Sequence, residues 1–192
     1  MDRSLSSNNT KSLLGIALKK YMSVKPLEKI TIQEIVDECN LNRRTFYYHF
    51  QDIYQLLEWV YKEDTLNKLE INNSYNTWQE GLIYLFNYIE KEGEVYLCAF
   101  KSLGRPHLEK FMYSVTYRVT REIIDEITPD LIVENKYKDF VAHYYALSLV
   151  GIVINWLQEG MKERPVDITK LVLITVQGSM KPALERFSKL DS

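Results

Sequence analysis

The chain has 192 residues, of which 46% are hydrophobic and 26% charged, a balance that is typical of a globular protein and excludes a disordered one. The formal net charge of -2 excludes a protein that is basic over its whole surface, as a general polyanion binder would be. Only 7 glycines and 5 prolines occur, which favours long helices joined by short loops.

The positive charges are concentrated near the start of the chain. Residues 1–50 hold eight Lys and Arg against five Asp and Glu, whereas residues 51–192 hold sixteen against twenty-one. A mildly basic N-terminal segment therefore precedes an acidic body, an asymmetry that the function has to explain.

Neither the cysteines nor any apolar run indicates an oxidising or membrane environment. Cys39 and Cys98 match no metal or redox spacing, and both lie in apolar helical patterns where a reduced thiol packs as a small hydrophobic group. No signal peptide opens the chain and no run of 18 apolar residues occurs. We therefore expect a soluble, cytoplasmic protein that does not insert into a membrane.

Helical patterns begin close to the N-terminus. Residues 1–9 are polar and predicted to be frayed, and Thr10 is a candidate N-cap for a helix that ends near Ser23. Thr31 and Glu34 form a T-x-x-E capping box that opens a second helix. Its apolar face repeats at i, i+3, i+4 and i+7 through Ile32, Ile35, Val36 and Cys39.

A short break separates the second helix from the third. Asn40 can adopt the left-handed conformation that ends a helix, and Asn42 can cap the helix that follows. Phe46 and Phe50 lie four residues apart and can anchor this third helix to the core together with Leu41.

The remainder of the chain also follows helical periodicity. A fourth helix is predicted from near residue 52 to about residue 71, with "NNS" at 72–74 as its end and a domain boundary. Five further helical segments are predicted at about 78–89, 95–101, 108–127, 138–160 and 166–189. In the last segment, Pro182 should kink or interrupt the helix one turn after Gly178. The sequence thus predicts an all-α protein of about nine helices.

Two short helices that are joined by a tight turn and supported by a third form a helix-turn-helix. The second helix of such a unit enters the major groove of DNA, which is about 12 Å wide. An arginine can form a bidentate contact with guanine, whereas Thr and Tyr hydroxyls suit phosphate oxygens. The third helix combines these groups in Arg43, Arg44, Thr45, Tyr47, Tyr48 and His49. The alternative is that the tyrosines belong to the core and the arginines to a solvated charged face.

The stretch "ITIQEIVDECNLNRRTFYYHFQDIYQLLEWV" resembles the N-terminal DNA-binding domain of the TetR/AcrR transcriptional regulators. The shared features are the Thr-initiated helix, the short turn, and "TFYYHF" followed by an "LL" helix. The resemblance implies a three-helix DNA-binding domain over 1–55 and a helical regulatory and dimerisation domain over 56–192. It further implies a homodimer that binds a near-palindromic operator in double-stranded DNA.

Carried over by position, the resemblance assigns Arg43, Arg44 and Tyr47 to base edges. It places a second set against the DNA backbone, namely Thr31, Gln33, Thr45, Tyr48 and His49. Two positions depart from the family pattern, because Asn40 replaces the usual glycine of the turn and Ile53 stands where a phosphate-contacting lysine is common. The start of the fourth helix would then meet phosphate through backbone N–H groups alone, or the geometry differs.

The last two predicted helices are candidates for a dimer interface. Segment 138–160 is apolar around much of its circumference, and Ala146, Ser148 and Gly151 would permit close approach of a partner helix. The alternative is that both helices only complete an intramolecular core.

The resemblance also implies a regulatory ligand in the C-terminal domain. Candidate pocket residues combine rings with a few polar groups: Phe100, Phe111, Tyr117, His143, Tyr144 and Trp156. These side chains could equally fill a core. The pattern of the body is similar to the branch that includes dihydroxyacetone-kinase operon activators, which suggests control by a partner protein instead of a small-molecule inducer.

No pattern supports an enzyme. His107 and His143 have no partner at metal-ligand spacing, and neither a Ser-His-Asp order nor a Gly-rich phosphate loop occurs, so no metal or other cofactor is predicted. The sequence therefore predicts a sequence-specific DNA-binding regulator, which in this family is most often a repressor. Two alternatives stay open: a partner-controlled activator of a metabolic operon, and a structural DNA-binding protein of the same fold.

Overall fold

The computed structural model describes residues 3–69 and 78–190, with side chains described over 7–63 and 78–190. Every regular element in these ranges is helical, which confirms the predicted all-α class. The described helices are α1 (Arg3–Met22), α2 (Ile32–Glu38), α3 (Arg43–His49), α4 (Ile53–Leu69), α5 (Trp78–Lys91), α6 (Gly93–Phe100), α7 (Arg105–Ile127), α8 (Asn135–Gln158), α9 (Pro165–Val176) and α10 (Met180–Phe187), with a 3₁₀ turn at Leu27–Lys29. The predicted boundary at 72–74 lies outside the described residues.

Helix α1 is longer than the sequence pattern predicts. It begins at Arg3, so the polar segment 3–9 is helical, and Thr10 lies inside the helix instead of capping it. This segment contains neither proline nor glycine. Because extending an existing helix costs far less than nucleating one, a polar segment without helix breakers can continue the apolar helix that follows it.

The described chain divides into two compact units, of which the first comprises Met1–Thr65 and Glu92–Phe111. Its core is formed by fully buried apolar side chains of α1 to α4, namely Leu14, Leu18, Ile35, Val36, Phe46, Leu56 and Leu57. The loop after α6 is tied to the 3₁₀ turn, because the Leu103 N–H donates a hydrogen bond to Glu28 Oε1 at 2.7 Å. The α2–α3 pair is thus supported by a packed scaffold.

The second unit comprises Leu66–Lys91 and Met112–Ser192. Its buried core includes Phe86, Ile89, Ile124, Ala142, Ala146, Leu157 and Leu184. The Trp156 ring packs against the Phe86 ring with centroids 5.3 Å apart, and its Nε1 donates to the Glu163 carbonyl at 2.8 Å. Trp156 therefore holds α8 to α5 and to the loop that precedes α9.

The last predicted helix is in fact two helices, α9 and α10, so the described helices number ten instead of about nine. The break falls at Gly178, whose φ of 70° lies in the left-handed region that favours glycine. The helix is thus interrupted near Pro182, as predicted, with the break one turn before the proline. Pro182 itself is the third residue of α10, where its missing N–H needs no intrahelical partner and no complete preceding turn meets its ring.

Helices α8 and α9 leave apolar side chains exposed. Apart from Val166 at the start of α9, five of them are more than half exposed: Phe140, Tyr144, Leu147, Leu171 and Ile174. On α8 these residues lie on one stripe that continues to Gly151, where a Cβ atom would meet no other atom within 4 Å. We call these six residues the α8–α9 face. Ala146 was predicted to allow close approach of a partner helix, but it is fully buried inside the unit and cannot contribute to this face.

By length and apolar composition, α8 is the one helix among the described residues that could cross a membrane. Of its most apolar stretch, 33% is buried inside the second unit. A core helix of a soluble protein passes the same test, so one such helix is weak evidence for a membrane span.

Candidate nucleic-acid interface

The turn between α2 and α3 is built from side-chain caps. The Glu34 N–H donates to Thr31 Oγ1 at 3.2 Å while the Thr31 N–H donates to Glu34 Oε2 at 2.9 Å, which is the predicted capping box. Asn40 has a φ of 54°, as predicted for a left-handed helix end. Asn42 Oδ1 accepts the Thr45 N–H at 2.9 Å and so caps α3. Local hydrogen bonds therefore define both ends of the turn.

Two phenylalanines hold α3 to its support. Phe46 is fully buried and Phe50 nearly so, and their rings lie 5.9 Å apart. The Phe50 ring also packs against Trp59 of α4 with centroids 6.0 Å apart. Because one face of α3 is fixed in this way, the opposite face points to solvent.

The exposed face of α3 carries the three residues predicted to read bases, Arg43, Arg44 and Tyr47. Tyr48, which was predicted to contact the DNA backbone, is also exposed, with 83% of its side chain accessible. Arg43 Nη2 donates to the Tyr47 hydroxyl at 3.2 Å, and the guanidinium lies 5.9 Å from the centroid of the same ring. The Tyr47 ring stands edge-on to Phe46, with centroids 5.7 Å apart. The core thus orients Tyr47, and Tyr47 in turn orients Arg43.

Three of the residues predicted to contact the DNA backbone already have partners within the protein. The Thr31 hydroxyl lies 2.8 Å from Glu34 Oε2, and Thr45 Oγ1 lies 3.2 Å from Asn42 Oδ1. Gln33 Nε2 donates to Asp37 Oδ1 at 2.7 Å. Any phosphate contact by these side chains would share or replace these hydrogen bonds.

His49 lies at the C-terminal end of α3 and is half-buried. Its ring stands edge-on to Tyr48, with centroids 4.9 Å apart. Burial lowers the pKa of the His49 imidazole, and the positive charge of Lys11 on α1 lowers it further. The ring is therefore mainly neutral at pH 7 and offers a hydrogen bond instead of a charge. Nothing in the α3 sequence indicated Lys11 as its neighbour, since the contact depends on how α1 packs.

The distribution of ion pairs leaves α3 positively charged. Three lysines of the first unit are paired with glutamates: Lys19 with Glu92, Lys20 with Glu38 and Lys25 with Glu34. Arg43 and Arg44 have no carboxylate partner in the described part of the chain. Charges that are not neutralised within the protein are available to phosphate or to guanine.

The start of α4 does not provide a free set of backbone donors. Asp52 Oδ1 accepts the Gln55 N–H at 2.8 Å, and the Gln51 N–H donates to Gln55 Oε1 at 2.6 Å. Ile53, which replaces the common lysine, is half-buried. The Asp52 carboxylate thus caps one of the backbone N–H groups that a phosphate could otherwise contact at this helix end.

The six residues predicted to line a ligand pocket are divided between the two units. Phe100 lies under the Arg105 guanidinium at 4.6 Å, and Phe111 stacks on Tyr61 with centroids 5.3 Å apart. Both belong to the first unit, whereas the other four, Tyr117, His143, Tyr144 and Trp156, belong to the second. Tyr144 is 60% exposed and Trp156 is 2% exposed. Their assignment to a ligand stays a prediction.

The neighbours of Tyr117 and His143 lie at the surface of the second unit. Tyr117 stacks on Tyr113, with centroids 5.8 Å apart, and the Tyr113 hydroxyl lies 2.7 Å from His143 Nδ1. Across residues 7–63 and 78–190, no group of three or more His, Cys, Asp or Glu side chains could hold a metal ion.

Comparison with known proteins matches two family models. Residues 17–60 match the bacterial regulatory proteins of the tetR family, and residues 76–178 match a transcriptional regulator C-terminal region. A curated relative, the HTH-type dhaKLM operon transcriptional activator DhaS of Lactococcus lactis subsp. lactis (strain IL1403), is 24% identical over 144 residues, which cover 74% of this chain and 76% of the relative.

Two solved structures share the fold. The dihydroxyacetone kinase operon activator DhaS superposes with a TM-score of 0.70 at 20% identity, covering 93% of this chain and 97% of that chain. RolR in complex with resorcinol superposes with a TM-score of 0.53 at 19% identity, covering 95% of each chain.

Proposed function

The chain belongs to the TetR family of bacterial transcriptional regulators, and from that premise we propose that it is a homodimer that binds a near-palindromic operator through two copies of α3. The observation that carries the proposal is that Arg43 and Arg44 are exposed, without a carboxylate partner among the described residues, on a helix that Phe46 anchors in the core. Arg43, Arg44 and Tyr47 would contact base edges, and the other predicted contacts the backbone.

The proposed dimer uses the α8–α9 face. A single short recognition helix makes too few contacts for specific binding at cellular salt, whereas two copies about 34 Å apart read two half-sites on one face of the duplex. Exposed apolar patches rimmed by polar residues are typical of protein interfaces. Gly151 at the end of the α8 stripe would allow the backbones of two α8 helices to approach closely.

We further propose that the second unit regulates DNA binding and that the protein represses transcription. A small ligand lowers operator affinity only as far as it binds the two states of the dimer differently. A second candidate is a partner-controlled activator, which the similarity to DhaS favours, since that relative is an operon activator. No catalytic role is proposed. Because family members act on DNA as soluble proteins, we place the protein in the cytoplasm.

Selection of duplexes from a random library by the purified protein tests the central proposal. We expect a near-palindrome whose half-sites are about one helical turn apart, bound by a dimer, with an affinity that falls steeply with salt. No enriched sequence, or an affinity that is flat with salt, would contradict specific DNA binding. Genome-wide occupancy at dozens of dispersed sites would instead support the structural DNA-binding alternative.

Deletion of the gene, followed by measurement of transcripts from the selected operators, tests whether the protein represses or activates transcription. Transcripts that rise indicate a repressor, and transcripts that fall indicate an activator. If the protein is an activator, pull-down from lysate beside a thermal-shift screen distinguishes a partner protein from a small ligand, because a ligand of the native state raises the Tm.

A further inference from the structure

The second unit contains a cleft that the DNA-binding role does not use. It has a volume of about 500 Å³ and lies between the start of α5, the end of α7 and the turn that joins α9 to α10. Small-molecule sites in proteins have volumes of roughly 300–1,000 Å³ and combine an apolar lining with a few polar groups. None of the six residues predicted from the sequence to line a pocket is part of this cleft.

The cleft has an apolar part and one aromatic residue in its lining. Ile123, Val176 and Met180 are buried side chains that line it, and Ile127 lines it as well. Trp78, at the start of α5, is the aromatic residue. A flat ring placed against Trp78 would stack on its indole and bury apolar surface against these side chains.

The lining also includes one group of each charge. Lys181 is exposed on α10 and has no ion-pair partner among the residues with described side chains, while Glu126 lies on α7. Lys181 can only donate hydrogen bonds and Glu126 in its ionised form can only accept them. A ligand that binds both has an oxygen that accepts from Lys181 and a hydroxyl that donates to Glu126, and because the two side chains carry opposite charges it needs no net charge of its own.

We propose that this cleft binds a neutral dihydroxylated aromatic molecule of one or two rings, stacked on Trp78 and hydrogen-bonded to Lys181 and Glu126. The proposal deepens the regulatory part of the proposed function by giving it a site and a ligand class. Binding at the cleft can be measured without DNA, so it stands or falls independently of operator recognition.

The turn that forms one side of the cleft is connected to the α8–α9 face. Ser179 Oγ donates to the Val176 carbonyl at 2.6 Å, so the Tyr145 hydroxyl, 2.6 Å from Ser179 Oγ, is the donor of the second hydrogen bond. Tyr145 follows Tyr144 on α8, and their rings stand edge-on with centroids 5.5 Å apart. Tyr144 belongs to the α8–α9 face. A ligand that moves the Gly178 turn therefore acts on the surface that the proposed dimer buries.

The binding test uses benzenediols and naphthalenediols on the full-length protein, with quenching of tryptophan fluorescence and a rise in Tm as readouts. We expect Kd values between about 10 μM and 1 mM, as suits ligands of this size. The dimethoxy analogues keep the rings but lose the donor hydrogens, and we expect them to bind at least about tenfold more weakly. If no diol in the panel binds, or if diols and dimethoxy analogues bind equally, the proposal is overturned.

Variants of the lining residues test whether the diols bind in this cleft. Lys181→Gln and Glu126→Gln should each weaken the diols about tenfold, and Lys181→Arg should retain affinity because it keeps the donor. Trp78→Phe should abolish the fluorescence quenching. Lys170→Gln is the matched control, since Lys170 is an exposed lysine of α9 that does not line the cleft. Equal affinities for Lys181→Gln and Lys170→Gln would place the ligand elsewhere and refute the site.

The connection to the dimer is tested by sedimentation of the protein with and without the diol. We expect the diol to change the dimer Kd at least about fivefold, and Tyr145→Phe to remove this change while retaining diol binding. Binding with an unchanged dimer Kd would overturn the connection through Tyr145. A protein that is monomeric under all conditions would instead contradict the proposed dimer.

Discussion

The Tyr47 hydroxyl accepts a hydrogen bond from Arg43 Nη2 at 3.2 Å on the exposed face of α3. The two residues lie four positions apart, so the helix itself brings them together. Since the Tyr47 ring rests against the buried Phe46 ring, the orientation of an exposed guanidinium depends on the core. An arginine side chain that is already oriented before DNA binds loses less conformational entropy on binding.

Tyr47→Phe should reduce discrimination at one base position of each half-site. The phenyl ring keeps the packing, but the hydrogen bond to Arg43 is lost, and a bond of this kind contributes about 0.5–1.5 kcal/mol, or about two- to tenfold in affinity. Binding to an operator library, read by sequencing, measures the effect. Tyr48→Phe is the control on the same helix. If Tyr47→Phe weakens all sequences equally, its hydroxyl contacts phosphate instead of positioning Arg43.

Arg44→Ala should abolish specific operator binding and leave the fold intact. Arg44 is exposed, and no described carboxylate pairs with it, so its removal takes nothing from the core. Loss of a bidentate contact with guanine costs about 1–3 kcal/mol per half-site. Footprinting and thermal melting, made on the same preparation, separate the two effects. A footprint like that of the wild type would show that α3 is not the reading helix.

Gly151→Leu should produce a stable monomer. Within one protomer an added side chain meets no atom within 4 Å, and leucine has a higher helix propensity than glycine by roughly 1 kcal/mol, so the fold should tolerate it. At a close contact between two α8 helices the same side chain would separate the backbones. Sedimentation measures the mass, and Glu185→Leu, at an exposed position of α10, serves as the control. A dimeric Gly151→Leu variant would exclude this stripe from the interface.

Glu34→Gln should remove part of the dependence of stability on pH. The Lys25 ammonium, with the N–H and hydroxyl of Thr31, lowers the pKa of the Glu34 carboxyl from 4.5 to about 2. Because the pKa is lower in the folded chain, the ionised carboxylate stabilises the protein above about pH 4.5, and this contribution is lost as pH falls towards 2.

Denaturant titrations between pH 7 and pH 3 test this expectation. The difference in unfolding free energy between wild type and Glu34→Gln should be largest near neutral pH and shrink with acid. Glu80→Gln, which replaces an exposed glutamate of α5, should show no such trend. A difference that is constant with pH would indicate that only the geometry of the capping box matters.

Tyr61→Phe should stabilise the protein. Tyr61 is 1% exposed between the rings of Tyr96 and Phe111, and its hydroxyl has no hydrogen-bond partner among the described residues. Burial raises the pKa of this hydroxyl, so it stays neutral, and an unpaired buried hydroxyl costs about 1–3 kcal/mol.

A gain of about 1 kcal/mol corresponds to a rise in Tm of about 2–4 °C for a chain of this size. Tyr145→Phe is the matched comparison, because the Tyr145 hydroxyl is bonded to Ser179 and its loss should lower the Tm. A lower Tm for Tyr61→Phe would mean that a buried water pairs with the hydroxyl.

The α2–α3 segment shows how much local sequence can determine. Thr31, Glu34, Asn40 and Asn42 act through hydrogen bonds and backbone angles within about four residues of each position, so their roles could be predicted without knowledge of any other helix. The same locality explains why the family could be identified from this stretch. Assignment of individual side chains to DNA stays a prediction.

Features that depend on contacts between distant helices could not be predicted. Ala146 and Gly151 are both small residues of α8, and only the packing of the second unit decided that the first is buried and the second exposed. An interruption near Pro182 was predicted from its residue type, but only the structure shows that the left-handed residue is Gly178 and that Pro182 falls in the first turn of α10.

The sequence by itself determined the helical class, the caps of the helix-turn-helix and the family, because these follow from hydrogen bonds and apolar spacing within one or two turns of helix. Tertiary structure alone decided that Lys11 lies beside His49, that Trp156 fills the core, and that the apolar face of α8 and α9 has no cover within its own unit. Each of these depends on which helix packs against which, a property of the whole chain that no local pattern contains.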